Sequence, residues 1–214
     1  MSDDKATRDV VTGPKWDRHY AEPGYIFGTM PNAFLAAEAH RFVPKSRVLV
    51  PGDGEGRNGV WLAGEGFDVT SVEASEVGVD KARALAAARG IRVDIQNANL
   101  DAWDWPAGTF DGVAAIFVHF EPHVRRNMHR RLLSALKPNG LLLLEAFTPK
   151  HVEKRKAGSR GGPPPEMLYT ADMLREDFKD AAIELIREEE ISLDEGTRHQ
   201  GPAHVVRLAA RRVT

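Results

Sequence analysis

The fold follows from residues 47–58, RVLVPGDGEGRN, in which a short β-branched run leads into a turn with three glycines. Helical periodicity begins directly after that turn. Glycine permits the unusual backbone angles of a strand-to-helix turn and lets a ligand approach the bare backbone. A second apolar run ends at Glu73, about 20 residues further on, where a carboxylate can accept hydrogen bonds from ribose hydroxyls. This pattern predicts that an adenosine-containing cofactor lies across the end of a parallel sheet.

The composition is that of one globular α/β domain. The chain has 214 residues, of which 42% are hydrophobic and 28% are charged,. A net charge of -2 favours neither nucleic acid nor an anionic membrane as a partner,. The absence of cysteine excludes disulfides, thiolate nucleophiles and cysteine-bound metals,. No run approaches the ~20 apolar residues that span a bilayer, so we expect a cytoplasmic protein, either a monomer or a homodimer.

Strand and helix patterns alternate through the first two thirds of the chain. An aromatic-rich lead-in begins at Pro14 and passes into a helix over residues 31–42. The predicted strands span 47–50, 68–73, 91–95, 110–118 and 141–147, and the predicted helices span 58–65 and 79–88 and begin again at Pro122. Alternation of this kind produces parallel strands joined by right-handed crossovers.

The last third departs from this alternation. A helix over 171–178 is followed by two predicted strands, 182–192 and 203–210, whose connection is too short for a crossover helix, so they should be antiparallel,. The sequence therefore predicts an α/β fold: a Rossmann-like, doubly wound, seven-stranded and mostly parallel sheet with a C-terminal antiparallel strand. Residues 1–214 should form a single domain, with 1–13 flexible and 14–42 forming an N-terminal lid and helix.

The glycine spacing separates two classes of adenosine cofactor. The dinucleotide fingerprint places its last glycine three positions after the second, whereas Gly52, Gly54 and Gly56 are separated by single residues. A short-chain reductase would also carry a Tyr-x-x-x-Lys pair, and no tyrosine of this chain has a lysine four residues on. A nicotinamide-dependent reductase therefore stays only an alternative.

Three segments resemble those of a known family. Residues 54–58 (GEGRN) resemble its Gly-x-Gly-Arg-Asn loop, and residues 110–113 (FDGV) and 136–140 (LKPNG) resemble its fourth-strand and pre-fifth-strand signatures. On these motifs the chain resembles a class I S-adenosylmethionine-dependent methyltransferase, most closely the small tellurite-resistance/thiopurine methyltransferase-like branch. The resemblance covers about residues 16–212. It implies S-adenosylmethionine as the cofactor and a small-molecule acceptor, which could be a thiol, a metalloid oxyanion or a hydroxyl.

The resemblance also suggests where the cofactor binds. The glycine loop and the end of strand two come first, the adenine lies beside the loop after strand three, and aromatic residues of the lead-in form a lid. The implied cofactor residues are Gly52, Asp53, Gly54, Gly56, Arg57, Asn58, Glu73, Ala74, Asn99, Leu100, Tyr20 and Tyr25. Family members often carry an acidic residue two positions before the first loop glycine. This chain has Val50 there, so Asp53 is the candidate for that contribution.

Two histidines are candidate catalytic residues. His119 follows the buried fourth strand, where it could accept a proton, contact the substrate or simply bond to a loop carbonyl. His199, in the final hairpin, is the second candidate for a polar substrate contact. No metal is expected, because Pro122 interrupts the helix between His119 and His123.

Other classes of function remain as alternatives. Enzymes that methylate nucleobase amino groups commonly carry Asn/Asp-Pro-Pro-Tyr after strand four, and this chain has VHFEP over 118–122. No basic stripe is present either, so we expect no nucleic-acid partner. Besides the reductase, a non-catalytic module that binds S-adenosylmethionine stays open.

Overall fold

The computed structural model describes residues 13–213, and the segment expected to be flexible lies outside that range except for Gly13. The strands are β1 (Arg47–Pro51), β2 (Asp68–Glu73), β3 (Asp94–Asn97), β4 (Phe110–Ile116), β5 (Leu136–Phe147), β6 (Ala181–Glu195) and β7 (His199–Arg212). The helices are α1 (Gly13–Tyr20), α2 (Ala33–Glu38), α3 (Arg57–Gly64), α4 (Glu76–Arg89), α5 (Pro122–Ala135), α6 (His151–Lys156) and α7 (Ala171–Asp177). Two 3-10 turns lie at Ala39–Arg41 and Pro165–Met167.

The strands form one sheet in the order β3-β2-β1-β4-β5-β7-β6. Strands β1 to β5 are parallel, and β7 lies antiparallel between β5 and β6. The predicted fold class is therefore confirmed. The strand order reverses between β1 and β4, which creates a crevice at the carboxyl ends of these two strands.

Both faces of the sheet are covered by apolar packing. Along β1, Leu49 joins the cluster that contains Met128 of α5, whereas Val48 and Val50 join the cluster that contains Leu62 of α3. Because successive residues of a strand point to opposite faces, a strand buried on both sides must be apolar throughout. The continuous apolar run of β1 meets that requirement.

The caps of α4 hold the end of β2 in place. The hydroxyl of Ser75 accepts a hydrogen bond from the Gly78 N–H at 3.0 Å and so caps the start of the helix,. The helix ends at Gly90, whose φ of 66° is left-handed,. The chain between Glu73 and Ser75 is thereby held at the crevice.

Several predicted boundaries were wrong. Strand β3 begins at Asp94 rather than at 91, because the N–H of Ile91 still bonds the Ala86 carbonyl at the end of α4. Strand β5 begins at Leu136, because that residue already pairs with Phe110 of β4. The helix expected over 31–42 is divided into α2 and a 3-10 turn.

Strand β4 is shorter than predicted, and its end shapes the site. It stops at Ile116, since Phe117 has a left-handed φ of 55°. For a bulky aromatic residue this conformation is an outlier that only surrounding contacts can hold. The ring of Phe117 stacks on Phe147 with centroids 4.5 Å apart. The strained residue therefore directs the chain after β4 along the crevice.

The turn after β1 brings two helices into close contact. Gly56 has a φ of 87°, and a Cβ atom there would lie 2.6 Å from the Cβ of Ala82. Helices α3 and α4 approach each other at this glycine. Gly56 therefore allows the close packing of α3 against α4.

We predict that Gly56→Ala destabilises the protein more than Gly90→Ala does. Both glycines have left-handed φ, which costs an L-residue about 1–2 kcal/mol, but Gly90 has open space around its Cα. The clash with Ala82 adds the cost of overpacking, about 1–3 kcal/mol. Urea unfolding measures both variants, and equal losses would contradict the packing role.

Candidate active site

A cavity of about 840 Å³ opens where the strand order reverses between β1 and β4. Its wall consists of the turn after β1, the end of β2, the segments after β3 and β4, the lead-in around α1, the 160–164 loop and the β6–β7 turn. Ligand pockets of folded proteins occupy roughly 300–1,000 Å³. The cavity therefore has room for a nucleoside-sized cofactor together with a small acceptor.

The glycine turn presents bare backbone to this cavity. Gly52 and Gly54 both have a φ of 61°. A Cβ at Gly54 would lie 2.5 Å from the hydroxyl oxygen of Tyr20, and one at Gly52 would lie 3.0 Å from a methyl of Val118. A side chain at either position would fill the cradle, so the turn fits a cofactor that lies against the backbone.

The carboxylate of Glu73 stands beside the glycine turn in the cavity wall. Its Oε2 accepts a hydrogen bond from the Gly54 N–H at 2.9 Å, and its Oε1 accepts one from the Ser75 N–H at 2.8 Å. Burial raises the pKa of this carboxyl group, and the backbone donors oppose that rise. Each oxygen keeps a further lone pair with which it can accept a ribose hydroxyl.

We predict that Glu73→Ala weakens the binding of S-adenosylhomocysteine by about 1–3 kcal/mol, the loss typical of a hydrogen bond to a charged group. Isothermal titration calorimetry measures this change. Glu76→Ala, at an exposed position three residues on, is the matched control and should bind as the wild type does. Unchanged affinity in Glu73→Ala would remove the ribose assignment.

The carboxylate of Asp53 forms hydrogen bonds with other residues of the protein. The Ser71 hydroxyl donates to its Oδ2 at 2.9 Å, and the Gly59 N–H donates to the same oxygen at 3.1 Å. Burial raises the pKa of Asp53 to about 7 despite these bonds. Val50, at the position where relatives often carry an acid, is buried in the core. The carboxyl group of Asp53 thus holds the start of α3, and the residue also belongs to the cavity wall.

We predict that Asp53 makes stability depend on pH between about 4 and 7. An acid whose pKa is raised on folding stabilises the protein below its unfolded pKa, and this contribution is lost as the pH rises through the folded pKa. Asp53→Asn keeps the shape but does not titrate. Relative to the wild type, it should gain roughly 2–4 kcal/mol between pH 4 and pH 7.5 in urea unfolding. A constant difference would contradict the raised pKa of Asp53.

Several predicted cofactor residues line the cavity. Ala74, Asn99 and Leu100 do so, as do Arg57 and Asn58. The side-chain oxygen of Asn99 accepts the N–H of Asp101 at 3.0 Å, which leaves its amide nitrogen for a ligand,. Gly56 does not belong to the wall, in keeping with its packing role.

The N-terminal lead-in brings one of its two candidate tyrosines to the site. Tyr20 is buried, stacks on Trp16 and lies against the glycine turn. Burial and nearby carboxylates hold the pKa of its hydroxyl well above the usual value, so Tyr20 stays protonated. The hydroxyl of Tyr25 instead donates to the Lys81 carbonyl at 3.1 Å, outside the cavity wall. Of these two tyrosines, Tyr20 is the one placed where it can touch a ligand in the cavity.

The two candidate histidines differ in which ring nitrogens are free. In His119, Nδ1 donates to the Met167 carbonyl at 2.9 Å, and Nε2 accepts the Phe147 N–H at 3.2 Å. Burial lowers the pKa of His119 to about 4. With both nitrogens engaged and the ring neutral, His119 has no lone pair for a substrate proton. Of the three roles expected for His119, the structure therefore matches the one in which the ring bonds to a loop carbonyl.

In His199, by contrast, only one of the two ring nitrogens is engaged. Its Nδ1 lies 3.3 Å from Oε2 of Glu195, and that same oxygen accepts a hydrogen bond from Arg57 at 2.8 Å. Although burial opposes it, the bonds with His199 and Arg57 lower the pKa of Glu195 to about 2. An ionised carboxylate can only accept, so Nδ1 carries the proton and Nε2 keeps its lone pair. Within residues 13–213, Nε2 makes no hydrogen bond.

Aromatic rings surround the imidazole of His199. The centroids of Phe27 and Phe117 lie 4.5 and 4.6 Å from that of His199, and Phe147 lies at 5.4 Å. Burial lowers the pKa of His199, so the free ring is neutral at pH 7. The ring of His199 is therefore neutral and lies among aromatic side chains in the cavity wall.

The sequence reasoning missed Glu195. The residue pairs with His199 across the β6–β7 turn. A signal was present in the sequence, because a Glu and a His flank the short segment 196–198. In a hairpin that turns at this segment, the two side chains are cross-strand neighbours.

Two other kinds of site are not found among the described residues. Over residues 13–213, no group of three or more His, Asp or Glu side chains is placed to hold a metal ion. In the same range, no helix has the length and apolar character needed to cross a membrane.

A family model covers the part of the chain that contains the glycine turn and Glu73. Residues 48–140 match the model of the methyltransferase domain. No curated protein matches the sequence significantly.

Solved structures share the fold at low sequence identity. A protein studied for conversion of a disulfide bond into a thioacetal group during echinomycin biosynthesis has a TM-score of 0.77 and 23% identity, with 94% of this chain and 92% of that chain covered. TehB from Haemophilus influenzae has a TM-score of 0.68 and 17% identity, with 85% and 62% covered. The 1,6-didemethyltoxoflavin-N1-methyltransferase of Burkholderia thailandensis, which contains bound S-adenosylhomocysteine, has a TM-score of 0.61 and 20% identity, with 85% and 77% covered.

Proposed function

We propose, from the premise that this chain carries a methyltransferase domain and uses S-adenosylmethionine as its cofactor, that it methylates a small protic acceptor with His199 as the general base. The observation that carries the proposal is the Arg57–Glu195–His199 arrangement, which leaves Nε2 of a neutral imidazole free. The acceptor is a small molecule with a hydroxyl, thiol or N–H group.

The cofactor half of the site fits the predicted ligand. The backbone of Gly52 and Gly54 would hold the cofactor, Glu73 would accept its ribose hydroxyls, and Tyr20 would cover it. When bound, S-adenosylmethionine supplies a methyl group activated by a sulfonium. The protein then needs chiefly to align the acceptor, exclude water and remove a proton.

His199 handles that proton. Its Nε2 accepts the proton of the acceptor, and Glu195 stabilises the imidazolium that forms, because the carboxylate stays ionised down to a pKa of about 2,. Arg57 keeps the carboxylate in place with an ion pair at 2.8 Å. The proton leaves to solvent when the product does.

The apolar surroundings of His199 favour a flat organic acceptor. The rings of Phe27 and Phe117 offer faces and edges on which an aromatic molecule can pack,. A reduced metalloid is a soft nucleophile that needs little general base, so the free lone pair of His199 would contribute little to its methylation. We therefore place an aromatic hydroxyl, thiol or N–H compound before tellurite, although the tellurite-resistance/thiopurine branch stays a prediction.

We predict that His199→Ala lowers kcat by about 10²–10⁴-fold, the usual contribution of a general base. The affinity for S-adenosylhomocysteine should not change, since His199 lies on the acceptor side. In the wild type, kcat/KM should rise with pH through an apparent pKa below 6.5, because burial lowers the pKa of His199 from 6.5. Methyl transfer from labelled S-adenosylmethionine to aromatic hydroxyls and thiols, tellurite and selenite measures the activity.

The control is His123→Ala, at an exposed position outside the cavity, which should retain full activity. Binding of S-adenosylhomocysteine without turnover of any acceptor would favour the non-catalytic module. Turnover of tellurite that is unaffected by His199→Ala would contradict the proposed base. Binding of NADH without S-adenosylhomocysteine would favour the reductase.

A further inference from the structure

Asn32 lies at the centre of a buried polar network beneath the cavity. Its side-chain Nδ2 donates to Oε1 of Glu145 at 2.7 Å and to Oε1 of Glu195 at 3.2 Å. Its backbone N–H donates to Oδ1 of Asn58 at 2.9 Å, and its own Oδ1 accepts the Leu35 N–H at 2.9 Å. The residue is 1% exposed, and each of these polar groups has a partner.

The two oxygens of Glu195 are held from different sides. Arg57 and His199 share Oε2, at 2.8 and 3.3 Å, whereas Asn32 holds Oε1. The contact with His199 is the longest of the three. A carboxylate tied only to Arg57 could rotate and leave Nδ1 of His199 without its acceptor. The amide of Asn32 prevents that rotation.

We propose that Asn32 is a positioning residue for methyl transfer, which acts through Glu195 to fix the tautomer and orientation of His199. The proposal rests on the proposed function of His199. Fixing the proton on Nδ1 keeps the lone pair of Nε2 directed to the acceptor in every molecule of the enzyme. Asn32 touches neither the cofactor half of the cavity nor its acceptor half, since it does not belong to the cavity wall.

Asn32 also caps α2, so the test must separate a structural role from a positioning role. Asn32→Ser and Asn32→Thr keep a side-chain oxygen suited to a helix N-cap and the backbone donor to Asn58, and they remove Nδ2. Glu145 keeps its ion pair with Arg207 in both variants. Both variants therefore lose the bonds of Nδ2 to Glu145 and to Glu195, and of these two carboxylates only Glu195 contacts His199.

The titration of His199 depends on a small set of neighbours. Glu195 faces it from its own hairpin, and Arg57 faces it from α3. His119 after β4 and His151 of α6 are also close enough to interact with its charge. None of these groups is altered in the two Asn32 variants, so a change in the titration of His199 reports on Glu195.

Ring ¹⁵N chemical shifts of the histidines, measured in the complex with S-adenosylhomocysteine across pH, test the proposal without any acceptor. The wild type should show His199 as the single Nδ1–H tautomer. Asn32→Ser should show a mixture of tautomers and a lower pKa of His199, because the carboxylate that raises it has moved. Thr170→Ala, which removes the remote cap of α7, is the control and should leave His199 unchanged.

Kinetics provide the second measurement. In Asn32→Ser, kcat should fall about 10–100-fold, the cost of a misplaced catalytic group, with the KM for both substrates nearly unchanged. Glu195→Gln should cause a larger loss, and adding Asn32→Ser to it should cause little more, since one residue acts through the other.

Each other outcome counts against the proposal. Asn32 would have only a structural role if His199 keeps its wild-type tautomer and pKa in Asn32→Ser, or if the losses in kcat add in the double variant. Loss of S-adenosylhomocysteine binding in both cap-preserving variants would lead to the same conclusion. A wild type that methylates no acceptor would overturn the function of His199 as a base. It would leave the tautomer measurement as a valid test of Asn32.

Discussion

The structure depends on the sharp turn between β1 and α3, where the chain reverses without room for side chains. Gly52 and Gly54 meet Val118 and Tyr20 on the cavity side, and Gly56 meets Ala82 on the packing side. The backbone of the turn is therefore in close contact with other residues on both of its sides. Glycine permits this contact because it adopts left-handed backbone angles and has no Cβ.

A second constraint joins the parts of the chain that are far apart in sequence. Glu195, at the end of β6, is bonded to Arg57 of the glycine turn, to Asn32 of the lead-in and to His199 of β7. Beside it, a Cβ at Gly196 would lie 2.4 Å from the backbone nitrogen of Gly28. The hairpin and the lead-in thus close the cavity together, and one largely buried carboxylate is bonded to both.

The fold could be predicted because its signals are local. The apolar run of β1, the glycines and the cap at Ser75 each act within a few residues, and they indicate strand, turn and helix directly. The boundaries that were wrong depend on longer contacts. Strand β5 begins early because Leu136 pairs with Phe110, and β4 ends early because Phe117 is held by the ring of Phe147.

The part of the cavity wall around β1 and β2 follows from residue order, since the ends of adjacent parallel strands meet at one edge of the sheet. The meeting of Glu73 and the glycine turn in one cavity wall could be predicted in this way. The chemistry of the two histidines could not be read from their positions. Met167 and Phe147 engage both nitrogens of His119, whereas Glu195 engages only one nitrogen of His199. A hydrogen-bond partner distant in sequence decides whether an imidazole has a free lone pair, and that partner is known once the chain has folded.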